Sequence, residues 1–412
     1  MSADSIAQIA TLVDACHAEA VVFLRELVRV PTDTPPGHNA PHAERAAQLL
    51  EALGFEVERY PVPEGDVSRH GLVSITNLIV RHRFGNGPVI ALNAHGDVVP
   101  PGEGWTKPPY GGVIESGRMY GRGVAVSKSD FATFTFALLA LRKLNAKTAA
   151  LKGSVELHFT YDEEVGGELG PGRLLAQKLS KPDFAIGAGF AYAIVTAHNG
   201  CLHLEVTVHG KSAHAGMPHT GADALQASVG ILSALYACNA EYAKRHSAVT
   251  GIASATLNVG TIAGGINTNV VPDKVVFKLD RRMIPEENPA QVETELRDVI
   301  NNAAHVFPGI RVQVHRLMLA RALSPRPGHE KLVSALQRHA ERIIGEAIPV
   351  TGLPLYTDAR HYAEAGVPIV LYGAGPRSIP ESNAKQSDEN LHLEDLRKAT
   401  QVVACALHDL LS

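Results

Sequence analysis

The sequence predicts an α/β fold, a mostly parallel sheet flanked by helices, with a smaller α+β unit inserted into it. Three observations predict this class. Short apolar runs, "VIALNAH", "SVELHFTYDEE" and "DFAIGA", each lead into a polar or Gly-rich turn, as buried parallel strands do. Apolar residues at helical spacing recur around them, as in "FATFTFALLALRKL". Near Gly200 the texture changes to segments such as "LHLEVTVHG", which alternate like strands with one wet face.

Each element follows from local pattern. Residues 5–30 carry Ile6, Ile9, Val13, Cys16, Phe23, Leu24, Leu27 and Val28 on one helical stripe, and "VPTDTPPG" stops that helix. "HAERAAQLLEALGF" reads as a second helix ending at Gly54. After Gly200 come the helices "GADALQASVGILSALYACNAEYAK" and "PAQVETELRDVINNAAHVF" and the strands "SATLNVGTIAGG", "KVVFKLDRR" and "IRVQVHRL". The first pattern resumes with "HEKLVSALQRHAERIIG", "VPIVLYGAG" and the closing helix "LEDLRKATQVVACALHDLL". The expected division is residues 1–199 with 317–412 as the larger domain and 200–316 as the insert.

Composition narrows the class of partner. The chain has 412 residues, too many for one comfortable core, and is 45% hydrophobic and 19% charged. Its formal net charge is -4 without long charged runs, so no nucleic acid or anionic membrane partner is expected. Cys16, Cys201, Cys238 and Cys405 lie far apart, which fits a reducing compartment and argues against a disulfide framework. No signal peptide is expected from "MSADSIAQIATLVDAC", and no stretch is expected to reach the apolar length of a membrane span. A soluble cytoplasmic protein is the expectation.

Several short motifs carry chemistry. "NAHGDVVPPGEGW" puts His95 and Asp97 on one face of an extended end, where the acid can orient the imidazole of a metal ligand. Taken alone it equally fits a surface turn. "TYDEEVGG" places Glu163 and Glu164 after a buried strand; adjacent carboxylates diverge, so one can bind metal while the other works on a water. A solvated acidic turn is the plainer alternative. "GKSAHAGMP" carries His214 among small residues, and the chain has 20 histidines. Asn269 and Arg282 suit a carboxylate or an amide oxygen, or are a turn residue and a surface cation.

"GRGVAVSKSD" poses a choice between a phosphate loop and the remains of a metal loop. A phosphate loop has Gly immediately before its Lys, whereas Ser127 precedes Lys128. The order of the motifs decides the rest. "HGDVVPPGEGW", "PPYGGVIESGRMYGRG", "DEEVGG", "VHGKSAHAGMPHTGADA", "GGINTNVVPDKV", "LDRRMIP", "TDARHYAEAGVPIVLYGAGP" and "DENL" together resemble the dinuclear-zinc aminoacylase, deacylase and carboxypeptidase family. That family includes acetylornithine deacetylase, succinyl-diaminopimelate desuccinylase and glutamate carboxypeptidase. The resemblance implies a zinc-peptidase-like catalytic domain, an inserted lid and dimerisation domain, a homodimer and a small-molecule substrate. It implies His95 as a metal ligand supported by Asp97, Glu163 as general base and Glu164 as a metal ligand. It implies His214 as the histidine that reaches across a dimer to polarise the scissile carbonyl. Asn269, Arg282 and the backbone at Gly375 would hold the substrate carboxylate.

Three ligand positions depart from that pattern. The acid that bridges both metals falls on Val126, a second acid falls on Ala188 or Gly189, and the C-terminal histidine falls on Lys385. At about 4 Å and an effective dielectric near 20, each unit-charge pair is worth roughly 4 kcal/mol. Loss of two carboxylates and gain of an ammonium therefore predict that the dinuclear site is abolished, leaving at most one zinc, manganese or similar ion. Three outcomes stay open. Lys385 pairs with Glu164 and serves metal-free chemistry as electrophile or acid; or one metal stays on His95 and Glu164 with Asp130 or His392 recruited; or the protein binds ligands without chemistry.

Overall fold

A computed structural model describes residues 3–412. In chain order the strands begin with β1 (Val57–Pro61), β2 (Thr76–Arg83), β3 (Val89–His95), β4 (Val113–Glu115) and β5 (Arg118–Tyr120). They continue with β6 (Ser154–Thr160), β7 (Phe184–Gly187), β8 (Ile194–His198), β9 (Gly200–His209) and β10 (Thr256–Gly264). The last are β11 (Lys274–Met283), β12 (Arg311–Ala320), β13 (Val350–Leu353), β14 (Ile369–Leu371) and β15 (Asn390–His392). Two compact units divide the chain, residues 1–196, 325–351 and 357–412 in one, and 197–324 with 352–356 in the other. The boundary expected at residue 317 falls inside β12.

The first unit is built on an eight-stranded sheet in the order β1-β2-β6-β3-β7-β14-β8-β13. Its centre, β6-β3-β7-β14, is parallel. The pairs β1/β2, β2/β6 and β14/β8 are antiparallel, so the sheet is mixed where a mostly parallel one was expected. The cause lies in the connections. The helix Lys128–Thr148 separates β3 from β6 and lets them run the same way, whereas the short span between β1 and β2 holds only the one-turn helix Glu64–Arg69.

From Phe131 to Leu141 the helix Lys128–Thr148 is apolar nearly all round and is buried accordingly, packed on the helices Ala3–Val28 and Leu393–Leu411, while its last turn is exposed. Ala3–Val28 corrects one expectation. By length and composition its segment Asp4–Val28 could cross a membrane. In the fold its stripe of Ile9, Val13, Cys16, Phe23, Leu24, Leu27 and Val28 is buried in the first core, while Asp14 and Glu19 stay exposed. That stripe has a packing use.

The parallel centre also positions chemistry. His95 ends β3, Asp162–Glu164 follow β6, Gly189 follows β7, and Tyr372–Gly375 follow β14, all at the carboxyl edge of the sheet. A small sheet, β15-β5-β4, pairs Tyr120 with Asn390 and so ties the Gly121–Asp130 loop to the segment after Lys385.

The second unit is a four-stranded antiparallel sheet, β10-β11-β9-β12, with the helices Ala224–Tyr242 and Pro289–His305 packed on it. Asp223 and Asn288 cap these helices by accepting the amides of Leu225 and Gln226, and of Ala290 and Gln291. Along β9, Leu202, Leu204, Val206 and Val208 enter the core, so Cys201, His203 and Glu205 lie on the opposite face.

Candidate active site

His95 is held from both sides. Its Nδ1 lies 3.0 Å from the Asp97 carbonyl oxygen and 3.3 Å from Asp97 Oδ1, and its Nε2 lies 3.9 Å from Glu163 Oε2. Ser127 Oγ fixes the strand end, accepting the His95 amide at 3.0 Å and donating to its carbonyl at 2.9 Å. Burial opposes a charge on the imidazole, but Glu163, Asp97 and Glu164 outweigh it and hold the pKa up at about 10. His95 is thus an imidazolium among carboxylates.

Asp97 also orders the acidic turn, because its Oδ2 accepts the Glu164 amide at 2.9 Å. Burial pushes Glu163 up to about 7 against the pull of His95, with Glu164 adding to the rise and Lys385 opposing it. A carboxylate poised near neutrality can take and return a proton. Glu164 points elsewhere. Its Oε2 accepts Lys385 Nζ at 2.6 Å, with the carboxylate side chain 7% exposed and the lysine 49%. Burial lowers the lysine pKa, but Glu164 and Glu163 outweigh it and raise the pKa overall, so Lys385 stays an ammonium. The loop that delivers it turns through positive φ at Asn383 (+51°), Lys385 (+63°) and Asp388 (+54°).

That loop is pinned on both sides. Asp388 accepts the Thr106 amide at 2.9 Å and hydroxyl at 2.8 Å. Glu389 accepts Arg122 Nη1 at 2.6 Å and the Ala125 amide at 3.0 Å, with both side chains buried. Lys128 is fully buried on the carbonyls of Val30 and Leu27, at 3.0 and 3.4 Å. Burial lowers its pKa to about 7, against Glu389 and Asp33, from the ordinary 10.5. The folded pKa lies below the unfolded one, so the cost is full below pH 7 and fades as pH rises toward 10.5. Stability should therefore climb by roughly 1.4 kcal/mol per pH unit across that window. Lys128→Met is expected to lose this climb relative to the parent; urea midpoints at several alkaline pH values check it.

The remaining expected residues are placed as follows. Asp130 does not join the set. Its carboxylate accepts the amides of Ala374 at 2.7 Å and Gly189 at 3.3 Å, and burial raises its pKa to about 7. It clasps the loops after β7 and β14. His392 caps the last helix, its Nδ1 accepting the Glu394 amide at 3.3 Å. At Gly375 the amide donates to Gly189 O and the carbonyl accepts the Ala191 amide, each at 2.9 Å, so no free donor remains there for a substrate carboxylate. A Cβ at Gly375 would meet Gly189 O at 2.4 Å, which explains the glycine.

In the second unit, His214 and Asn269 are exposed neighbours, joined where the Ala215 amide donates to Asn269 O at 3.0 Å. His214 Nδ1 accepts the Gly216 amide at 3.0 Å, which assigns the proton to Nε2 and leaves that nitrogen a donor. Arg282 forks onto Asp280, Nε to Oδ1 at 2.9 Å and Nη2 to Oδ2 at 3.0 Å.

Sequence reasoning missed two acids of the first unit. Burial, then Asp97, raises Asp162 to about 8. Burial, then Glu163 and Asp162, puts Asp358 well above its usual range. Gly167 lets the turn close over Asp358, since a Cβ would meet Asp358 Oδ1 at 2.2 Å and φ is +73°. "TYDEE" and "TDARH" held the signal, an acid just past a strand or opening a helix.

Residues 91–409 match the profile of Peptidase family M20/M25/M40. The chain belongs to this family. Family M20/M25/M40 comprises amide-bond hydrolases of small molecules. Succinyl-diaminopimelate desuccinylase of Methylobacterium nodulans is 30% identical over 388 residues, covering 91% of this chain and 92% of that one. The enzyme of the same name from Gluconobacter oxydans is 28% identical over 394 residues, covering 93% and 95%. Among solved structures, a metallo-carboxypeptidase of family M20 from Sulfolobus solfataricus superposes with TM-score 0.77 at 19% identity, covering 95% and 98%. A di-peptidase from Saccharomyces cerevisiae gives 0.78 at 13%, covering 99% and 98%. These two likenesses establish the M20 fold.

A metal pair would need several donor atoms converging on one point. Among the described residues, Cys201, His203 and Asp280 are the one group of three or more such side chains whose ligand atoms lie within 4.8 Å of one another. His95, Asp97, Glu164 and Asp130 do not form such a group, and an ammonium sits on Glu164.

Proposed function

We propose that the protein is a cytoplasmic, homodimeric hydrolase that cleaves the amide-type C–N bond of a small N-substituted amino acid without the family's dinuclear metal centre. The observation that carries this reading is the 2.6 Å pair of Lys385 Nζ with Glu164 Oε2. It puts a fixed positive charge on the one anionic ligand position that the sequence keeps, and a metal there would have to displace it. The residues do not fit a metal pair, so in this reading the chemistry falls to the chain's own side chains.

In this reading the Glu163 carboxylate takes a proton from water as the water oxygen attacks the carbonyl carbon. The tetrahedral oxyanion is met by the Lys385 ammonium and by Nε2–H of His214 of the partner subunit. Glu163 returns the proton to the nitrogen as the C–N bond breaks, releasing an amine and a carboxylic acid that then ionises. Asn269 and Arg282 hold the substrate carboxylate. The test is amine release from a panel of N-acyl amino acids and dipeptides with chelator present. Turnover of carboxylate-bearing members supports the reading; no turnover with or without added metal would leave a binding protein.

A further inference from the structure

The second unit holds a cluster that the hydrolytic reading does not use. Cys201 and His203 alternate along β9 on the face away from the helices, and the β11 register sets Asp280 opposite His203 and Arg282 opposite Cys201. Cys201 Sγ lies 3.2 Å from His203 Nε2 and 3.7 Å from Asp280 Oδ1, and His203 Nε2 lies 3.1 Å from Asp280 Oδ2. The thiol is buried, while the imidazole and carboxylate are 35% and 28% exposed, so one side of the cluster is open to solvent.

These separations exclude a nucleophilic triad. Thiol and carboxylate approach the same imidazole nitrogen, whereas a triad needs the base on one nitrogen and its orienting acid on the other. Sulfur and nitrogen stand near metal-site spacing, and with one Asp280 oxygen the three ligand atoms all lie within 4.8 Å of one another, so small side-chain adjustments would close them on an ion. A tetrahedral ion with bonds of about 2.3 Å to sulfur and about 2.0 Å to nitrogen and oxygen sets its ligand atoms about 3.3–3.6 Å apart.

We propose that Cys201, His203 and Asp280 form a mononuclear site for a thiophilic divalent transition ion of the zinc or cobalt class, with water as fourth ligand. A thiolate–imidazole–carboxylate set favours such ions over magnesium or calcium. On binding, the metal–sulfur bond replaces the S–H bond and the proton leaves to solvent. Arg282 already forks onto Asp280. A carboxylate has about four lone-pair directions, so Asp280 can give one oxygen to the ion and keep a bond to Arg282. The guanidinium then orients the ligand from outside the coordination sphere. Thiolate and carboxylate offset the ion's two charges, and Arg282 leaves the occupied set with one net positive charge; unlike Lys385 beside the lone ligand carboxylate Glu164, it faces a site with two anionic ligands.

The test is Co2+ titration of the chelator-stripped full chain, read as the thiolate-to-cobalt charge-transfer band and the intense d–d bands of tetrahedral cobalt. One equivalent is expected to saturate both. Cys201→Ser should abolish the charge-transfer band, and His203→Asn should weaken Co2+ binding at least ~10-fold. Near-ultraviolet circular dichroism verifies that each variant folds. Absence of the band at excess Co2+, or its persistence in Cys201→Ser, overturns the site. Should Cys201→Ser not fold, unchanged Co2+ affinity in His203→Asn overturns it instead.

Discussion

Glu163→Gln is expected to lower kcat for amide hydrolysis by about 10²–10⁴-fold, the usual worth of a positioned proton carrier. The substitution keeps the shape of the side chain and removes only its ability to take a proton. Glu163 suits the role because burial raises its pKa to about 7. At neutral pH it is then partly ionised, and its conjugate acid is strong enough to protonate a leaving nitrogen. His95 Nε2 at 3.9 Å and the nearby Lys385 ammonium limit the rise and keep the carboxylate accessible. Substrate affinity should change little. An active Glu163→Gln protein with unaltered circular dichroism would remove Glu163 from the mechanism.

Lys385→Ala is expected to lower kcat by about 10²–10³-fold, as loss of one preformed oxyanion donor does elsewhere. The lysine is 49% exposed, but its partner carboxylate is nearly buried, so its removal should also cost some stability by leaving Glu164 without a counter-charge. Glu164 is only 7% exposed and would lose its charged partner, pressing on Glu163 with its negative charge. An alkaline shift of the acidic limb of the pH–rate profile follows from this charge change alone, so the second readout is a fall in kcat that persists on the pH plateau with KM little changed, which a merely structural role would not produce. Lys385→Arg retains the charge and should restore part of the rate. Full activity in Lys385→Ala would show that the ammonium takes no part.

The strand-to-helix rhythm made the fold legible, and motif order made the family legible. His95 with Asp97, and Glu163 with Glu164, are sequence neighbours at strand ends, so each pair stands out as a short motif. Other contacts are set only by tertiary closure. Arg122 and Glu389 are 267 positions apart, and Asp130 reaches Ala374 across 244. Asp130 shows why helical spacing misleads. One turn beyond Val126 the helix is already entering the core, and its carboxylate meets backbone amides. The antiparallel flanks of the sheet were hidden because length does not mark direction: central β7 and β14 are four and three residues long, while the antiparallel β2 has eight, so pairing direction is set only by tertiary closure. At Gly375, sequence places the glycine but cannot tell that the Gly189 carbonyl already takes its amide.

The central claim is that hydrolysis proceeds on Glu163 and Lys385 without a metal on Glu164. Its most direct test is the rate of amide hydrolysis by exhaustively chelated Cys201→Ser protein, with elemental analysis of the same sample; that background removes the thiolate site from the count. The account predicts an undiminished rate with no zinc, manganese, cobalt or nickel bound. A rate that falls with chelation and returns on adding one of these metals would contradict it.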